Sequence, residues 1–373
     1  MTASSPPNYS GQVFEDRYRI LQLIGEGGMG AVYEAEHVVV GRRVAIKLLH
    51  PDMARDHNVV ARFYNEARAA GSIGNEHIVE VLDFGKQPAP YLVMELLAGR
   101  SLSALLEAEG SLSPTRASTL LLQVLEALRA AHAKDIVHRD LKPENVFVVS
   151  KDGRESIKLV DFGISKLKNA DPITGGHLTQ TGTVLGTPYY MSPEQALGAK
   201  DLDHLTDIYS AGVILYECVT GRQPYSAENY NMLLVKIISE SAVPPRTIRP
   251  DLPEALEHII QKAMAQDRPQ RFRTAGEFAD ALRAFLEGRR TGVLPVATAA
   301  GDTAARIAAA RSRILQGTVP GGPPGSGTDL AWAGEPGTLS PTASKNRGIA
   351  IGIGATIAVA VLAVGIWFGF LRG

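Results

Sequence analysis

A chain of 373 residues with 38 Lys and Arg against 39 Asp and Glu has a formal net charge of -1, so no global basic field draws it to nucleic acid. Its one cysteine, Cys218, excludes an intramolecular disulfide, and its apolar surroundings at 211–219 predict a buried thiol in a reducing compartment. Residues 1–17 are Ser, Pro and polar residues without the apolar core of a secretory signal, which predicts a disordered N-terminus on a cytosolic body.

Between residues 18 and 93 short β-rich runs alternate with turn residues, and one stretch, 58–70, places apolar residues at helical spacing. This predicts a small, mostly β lobe. The runs 20–24 and 31–35 flank the segment Gly25-Glu26-Gly27-Gly28-Met29-Gly30-Ala31-Val32. A strand on both sides makes it a hairpin, which argues against the strand-to-helix turn of a dinucleotide site. A loop bare of side chains can close over a triphosphate and offer N–H groups to its oxygens, while Ile24 and Val32 cover an apolar base. Alone, that glycine pattern is a weak signal. Val44-Ala45-Ile46-Lys47 then sets a cation at the end of a third strand, within reach of phosphates. A solvated strand lysine is the plain alternative.

From 101 to 287 the periodicity is helical, over 102–109, 113–133, 207–220, 229–239, 256–266 and 274–287, and predicts a larger α-rich lobe. Ser113 ahead of Pro114 supplies a hydroxyl cap and a proline at the first helical position. Inside this lobe stand His138-Arg139-Asp140-Leu141-Lys142-Pro143-Glu144-Asn145 and Asp161-Phe162-Gly163, a candidate base and two oxygen ligands at the spacing phosphoryl transfer requires. Such transfer needs mainly in-line positioning and neutralisation of charge. Asp140 is the candidate acceptor of a substrate hydroxyl proton, and Lys142 can stabilise the transferring phosphate. Asn145 and Asp161 are hard ligands suited to Mg2+, with Mn2+ an alternative. Each of these residues taken singly reads as an ordinary loop residue.

Residues 287–347 turn to Ala, Gly, Pro, Thr and Ser, too poor in large apolar side chains to bury a core, and predict a flexible linker. The run 348–371 carries no charge, and at 1.5 Å per residue its ~36 Å exceeds a ~30 Å hydrocarbon layer. A single transmembrane helix is expected, a buried core helix being the alternative. Lys345 and Arg347 at its start assign that side to the cytoplasm, leaving 372–373 on the other. Small residues at every fourth position, Gly348, Gly352, Thr356 and Ala360, would allow a homodimer through the span.

In chain order, the glycine hairpin, Lys47, the 138–145 segment and Asp161-Phe162-Gly163 resemble the protein kinase signature set over residues 18–286. The resemblance is to the bacterial Hanks-type serine/threonine kinases and implies an α+β, two-lobed kinase fold with a β-rich N-lobe and a helical C-lobe, anchored by the C-terminal span. It implies ATP held by residues 24–32, by Ala45 and Lys47, and by Glu95 and Leu97 of a hinge behind the gatekeeper Met94. Glu66 would orient Lys47, the alternative being a surface salt bridge worth ~0 to 1 kcal/mol. Ser192-Pro193-Glu194 matches the element whose glutamate pairs with a distal arginine, here Arg271, although serine stands where the family carries alanine. Asp207 matches the helix aspartate that braces the 138–145 backbone, and a lysine at 142 fits the serine/threonine branch. Thr179, Thr181 and Thr183 occupy a Gly-rich polar loop where related kinases phosphorylate themselves, and Arg139 is the implied phosphate partner. Ordinary loop chemistry also accounts for those threonines. Two rivals remain: a pseudokinase scaffold tethered to the membrane, and a small-molecule kinase of related fold. All five key side chains, Lys47, Glu66, Asp140, Asn145 and Asp161, are present.

Overall fold

The computed structural model describes residues 8–27, 30–151, 153–162, 188–289 and 292–293. The candidate span 348–371, the linker beyond residue 293, the three threonines, Gly28, Met29 and Gly163 lie outside the described residues. Among the described residues, no helix is long and apolar enough to cross a membrane.

Six strands, β1 (Val13–Phe14), β2 (Tyr18–Gly27), β3 (Gly30–His37), β4 (Arg43–Leu49), β5 (Val81–Gly85) and β6 (Tyr91–Glu95), form one antiparallel sheet in the order β1-β2-β3-β4-β6-β5. Alternation divides its residues. Ile20, Tyr33, Ala35, Val44, Ile46, Tyr91 and Val93 pack together on one face. A short helix, α1 (Pro51–Ala54), leads into α2 (His57–Ile73), whose Phe63 and Ala67 pack on Leu49 and Leu92. The side chain of Asp56 caps α2 by accepting the Asn58 amide at 2.8 Å, and Gly74 closes it in the left-handed conformation at φ 65°.

The second lobe is mostly helical, as the periodicity predicts, with α3 (Leu102–Glu109) and α4 (Pro114–His132) first in the chain. After them come the short α5 (Pro193–Ala196), then α6 (Leu205–Thr220), α7 (Tyr230–Ser239), α8 (Pro245–Ile248), α9 (Glu254–Ala263) and α10 (Ala275–Leu286). Ser113 caps α4 with Pro114 at its first turn, matching the sequence expectation. Three strands went unread in the sequence: β7 (Gly99–Ser101), β8 (Val146–Lys151) and β9 (Arg154–Leu159), an antiparallel sheet beside the 138–145 segment. Central to the lobe is α6, with 13 of its 16 residues buried, Cys218 among them. At Gly212 a Cβ would stand 2.8 Å from Ala263 Cβ, so glycine permits α6 and α9 to touch.

The Glu194–Arg271 pair ties α5 to the C-terminal part of the lobe. Arg271 is 2% exposed and donates from Nη1 and Nη2 to the two Glu194 oxygens at 2.7 and 2.8 Å. Its remaining donors go to the carbonyls of Ala265, Leu205 and Gln266, and the guanidinium lies 5.0 Å from the Tyr209 ring centroid. Burial pushes the Glu194 carboxyl up, but the hydrogen bonds and charge of Arg271 outweigh it and hold the group below its usual range. A buried pair of this kind costs most when only half of it is removed. Arg271→Met should therefore destabilise the protein by about 3–5 kcal/mol, read from urea denaturation, because the buried Glu194 would lose both of its direct charged hydrogen bonds and keep only the more distant Arg268 at 3.8 Å.

Candidate active site

Register assembles one wall of the cleft. Val32 stands opposite Lys47, Lys47 opposite Leu92, and Ala45 opposite Met94. Opposed residues and every second residue share a face, so Val32, Ala45, Lys47 and Met94 line the same side of the sheet. From that face Lys47 Nζ reaches Asp161 Oδ1 at 2.6 Å, joining the lobes across 114 positions of sequence. A cation suited to phosphate and an anion suited to a metal here satisfy each other. Glu66, the expected partner of Lys47, lies half-buried on α2. At the hinge, Glu95 commits its amide to the Glu80 carbonyl and its carboxylate to Lys158 at 2.6 Å. Its contribution to a bound base is thus confined to the main-chain carbonyl. Leu97 is half-buried two residues on.

The glycines divide by physical role. Gly25 and Gly27 are part of β2 itself, and Gly27 pairs with Gly30. At Gly30 a Cβ would fall 2.0 Å from the Leu48 carbonyl oxygen, so the fold requires glycine there. Gly25 has Val32 Cβ at 3.8 Å as its nearest neighbour, and Gly27 has nothing within 4 Å. Packing does not ask for glycine at either. Their bareness leaves room over the cleft, beside an Ile24 that is 46% exposed, whereas Ala31, expected at the nucleotide, packs in the core on the other face with Glu26 paired opposite it.

Opposite this wall, the 138–145 segment is held by a buried anion. Asp207, 0% exposed, accepts from the His138 and Arg139 amides and from His132 Nε2, each at 2.8 Å. Burial pushes its carboxyl up, but the His132 hydrogen bond and charge, the His138 charge and the Arg139 amide prevail and keep it lowered. Arg139 takes φ of 64°, a left-handed conformation that costs a non-glycine residue energy unless its surroundings fix it. The His138 imidazole is wholly buried, lies 4.7 Å from the Phe162 ring, and is driven below its usual pKa by burial.

The turn delivers three groups to one place. Lys142 Nζ lies 3.4 Å from Asp140 Oδ2. Asn145 Nδ2 donates to the Asp140 carbonyl at 2.9 Å, so the Asn145 side-chain oxygen is the atom suited to a cation. The Asn145 carbonyl accepts from Val160 at 3.0 Å, which brings Asp161 alongside, and Asp161 is itself left-handed at φ 54°. Among the described residues no group of three or more His, Cys, Asp or Glu side chains gathers to hold a metal. Two oxygen donors nonetheless fit magnesium, which commonly takes one or two protein oxygens and completes its octahedron with phosphates and water.

Comparison with known proteins supplies the family. Residues 18–281 match the protein kinase domain. The chain belongs to the protein kinase family. It is 42% identical over 273 residues to the serine/threonine-protein kinase Pkn1 of Myxococcus xanthus, covering 72% of this chain and 38% of Pkn1. To the serine/threonine-protein kinase PknA of Mycobacterium tuberculosis it is 39% identical over 286 residues, 75% of this chain and 64% of PknA. The chain thus spans only part of the curated relatives it matches. Among solved structures it resembles the PknI kinase domain of M. tuberculosis with a TM-score of 0.58 at 26% identity, covering 75% of this chain and 98% of that one. The two-lobed kinase fold read from the motifs is therefore the fold of this kinase.

Two contributors to the site escaped the sequence reading. His132, the last residue of α4, was a helix-end histidine with nothing to mark its partner, and it supplies the third donor to Asp207. Gln195 carries a signal that was legible, because Ser192-Pro193-Glu194-Gln195 is a capping-box pattern. Its Nε2 donates to the Arg139 carbonyl at 2.9 Å.

The glycine roles separate by experiment. Gly30→Ala should lower Tm, by about 1–3 kcal/mol of stability, since β4 would have to shift. Gly27→Ala should leave stability within about 0.5 kcal/mol and weaken ATP binding instead, as measured by calorimetry.

Proposed function

We propose that this kinase transfers the γ-phosphoryl group of ATP to serine and threonine hydroxyls of protein substrates. The observation that carries the reading is the convergence of Lys47, Asp140, Lys142, Asn145 and Asp161, from both lobes, within hydrogen-bonding chains of one another. Asn145 and Asp161 would hold Mg2+, or Mn2+, which when bound with the triphosphate neutralises charge on its oxygens. Lys47 then exchanges Asp161 for the α- and β-phosphates. Asp140 orients the substrate hydroxyl and accepts its proton, and Lys142, beside it, offsets charge on the group in transit. Val32, Ala45 and Met94 cover the base.

The state of Arg139 supports regulation through the 179–183 threonines. Its Nε is buried without a hydrogen-bond partner among the described residues, its Nη2 meets only the Leu202 carbonyl at 3.3 Å, and burial lowers its pKa. A phosphate on Thr179, Thr181 or Thr183 would satisfy such a guanidinium. The 348–371 run supports a single span that anchors the kinase to the cytoplasmic membrane with its domain inside, and its small-residue stripe supports a homodimer.

One experiment addresses these together. Full-length protein and Asp140→Asn are expressed, fractionated, and incubated with labelled ATP and a generic basic protein, with phosphosites mapped by mass. We expect activity in the membrane fraction, label on Ser and Thr of the added protein and on the 179–183 segment, and a loss of about 100-fold or more in Asp140→Asn. Equal labelling by both proteins would reject Asp140 as the base, and no labelling by either would leave a scaffold.

A further inference from the structure

The Arg139 peptide is gripped from both sides. Its amide donates to Asp207 on α6, and its carbonyl accepts from Gln195 Nε2 on α5 at 2.9 Å. Between those two contacts lies the left-handed φ of 64°, and the next residue along is Asp140. The grip is itself braced: Ser192 Oγ, capping α5, meets Thr206 Oγ1 at 2.9 Å, and Thr206 directly precedes Asp207. Thr206 Oγ1 also reaches Glu194 Oε1 at 3.1 Å, tying the brace to the buried Arg271 pair.

We propose that Gln195 is a positioning residue for phosphoryl transfer: by fixing the Arg139 carbonyl it sets the direction in which Asp140 leaves the turn. The proposal rests on Asp140 being the base. A side-chain amide is the functional group this place requires. Gln195 Oε1 accepts from the Ser192 amide at 3.0 Å, closing the helix cap, while Nε2 serves Arg139. One planar group does both jobs, accepting on one side and donating on the other. Helix capping alone would be met equally by glutamate, which is the commoner partner in such a box. Glutamate cannot donate to a carbonyl when ionised. It would set an anionic oxygen against the Arg139 oxygen and push the peptide away. The clamp thereby makes the seating of α5 a condition on the geometry of Asp140, since α5 cannot shift without releasing the Arg139 carbonyl.

Substitution by near-isosteres separates the two jobs. Glutamine to glutamate, Gln195→Glu, keeps the cap acceptor and loses the donor, whereas Ser113→Ala removes a capping hydroxyl of the same kind from α4 and leaves every member of the clamp in place. The full-length protein and both variants are assayed with labelled ATP and a generic basic protein, with Tm measured in parallel. Gln195→Glu should lose about tenfold or more in kcat, with KM for ATP within about twofold and Tm near that of the parent. Ser113→Ala should lower Tm while keeping kcat within about twofold below its melting range. Unchanged kcat in Gln195→Glu would overturn the proposal. So would an equal kcat loss in Ser113→Ala, since lost helix stability rather than the Arg139 carbonyl would then be the cause. Asp140→Asn runs beside them, and full activity there would overturn the base assignment itself, so the two failures are told apart.

Discussion

The site depends on one buried carboxylate. Asp207 is sealed from water, an arrangement that would be costly for a lone anion, and it persists because three donors converge on it. Two are backbone amides of consecutive residues, His138 and Arg139, a geometry that only a sharply bent chain presents to one carboxylate. The third, from His132, links the end of α4 to the same point. Hydrogen bonds to charged groups contribute about 1.5–3 kcal/mol each, enough together to hold a left-handed arginine that would cost of order 1–3 kcal/mol in isolation. The strain sits one residue before Asp140 because the anion that compensates it sits beneath.

From that point positions propagate by short steps. Asn145 is fixed to Asp140, Val160 to Asn145, and Asp161 follows Val160 with its own left-handed φ to meet Lys47 on the other lobe. A second link runs through Leu159, whose amide donates to the His77 carbonyl at 2.8 Å while its carbonyl accepts from Val79 at 2.9 Å, joining β9 to the chain that follows α2. The Lys47–Asp161 contact is the exchangeable step of this path. Its members are 16% and 46% exposed, so solvent screens the pair and it adds little to stability. In the proposed function, substrate phosphate and a cation would displace it at small cost.

Much of this was legible in the sequence. The helical periodicity located α2, α3, α4, α6, α7, α9 and α10 to within a few residues, because all but α6, which is buried on nearly every side, bury one stripe, and several carry recognisable caps such as Ser113-Pro114. The partners of Glu194 and the bracing role of Asp207 followed from resemblance, and both contacts are present. Strands β7, β8 and β9 were not legible, since their residues mix charge with short apolar runs and the neighbouring helices dominate the pattern. The contact of Lys47 with Asp161 was also hidden, since it depends on the three-dimensional turn at Val160. For the glycines, sequence treats 25, 27 and 30 alike, whereas the Leu48 carbonyl distinguishes Gly30. Gln195 acts through the backbone carbonyl of Arg139, a contact its capping-box pattern does not encode, and His132 acts through the distant Asp207 carboxylate, a pairing nothing in the local sequence marks.

The central claim is that the Asp207 anion, by holding two successive amides, makes the turn that presents Asp140. Replacing Asp207 with Asn leaves size and shape nearly unchanged but removes the charge and turns one acceptor into a donor facing an N–H group. The decisive measurement is the phosphotransfer kcat of Asp207→Asn beside its affinity for ATP, taken below its melting temperature. We expect a fall of about 100-fold in kcat with affinity for metal-free ATP held within about twofold, because the wall that covers the base belongs to the other lobe. A folded Asp207→Asn protein that phosphorylates at the parental rate would contradict it.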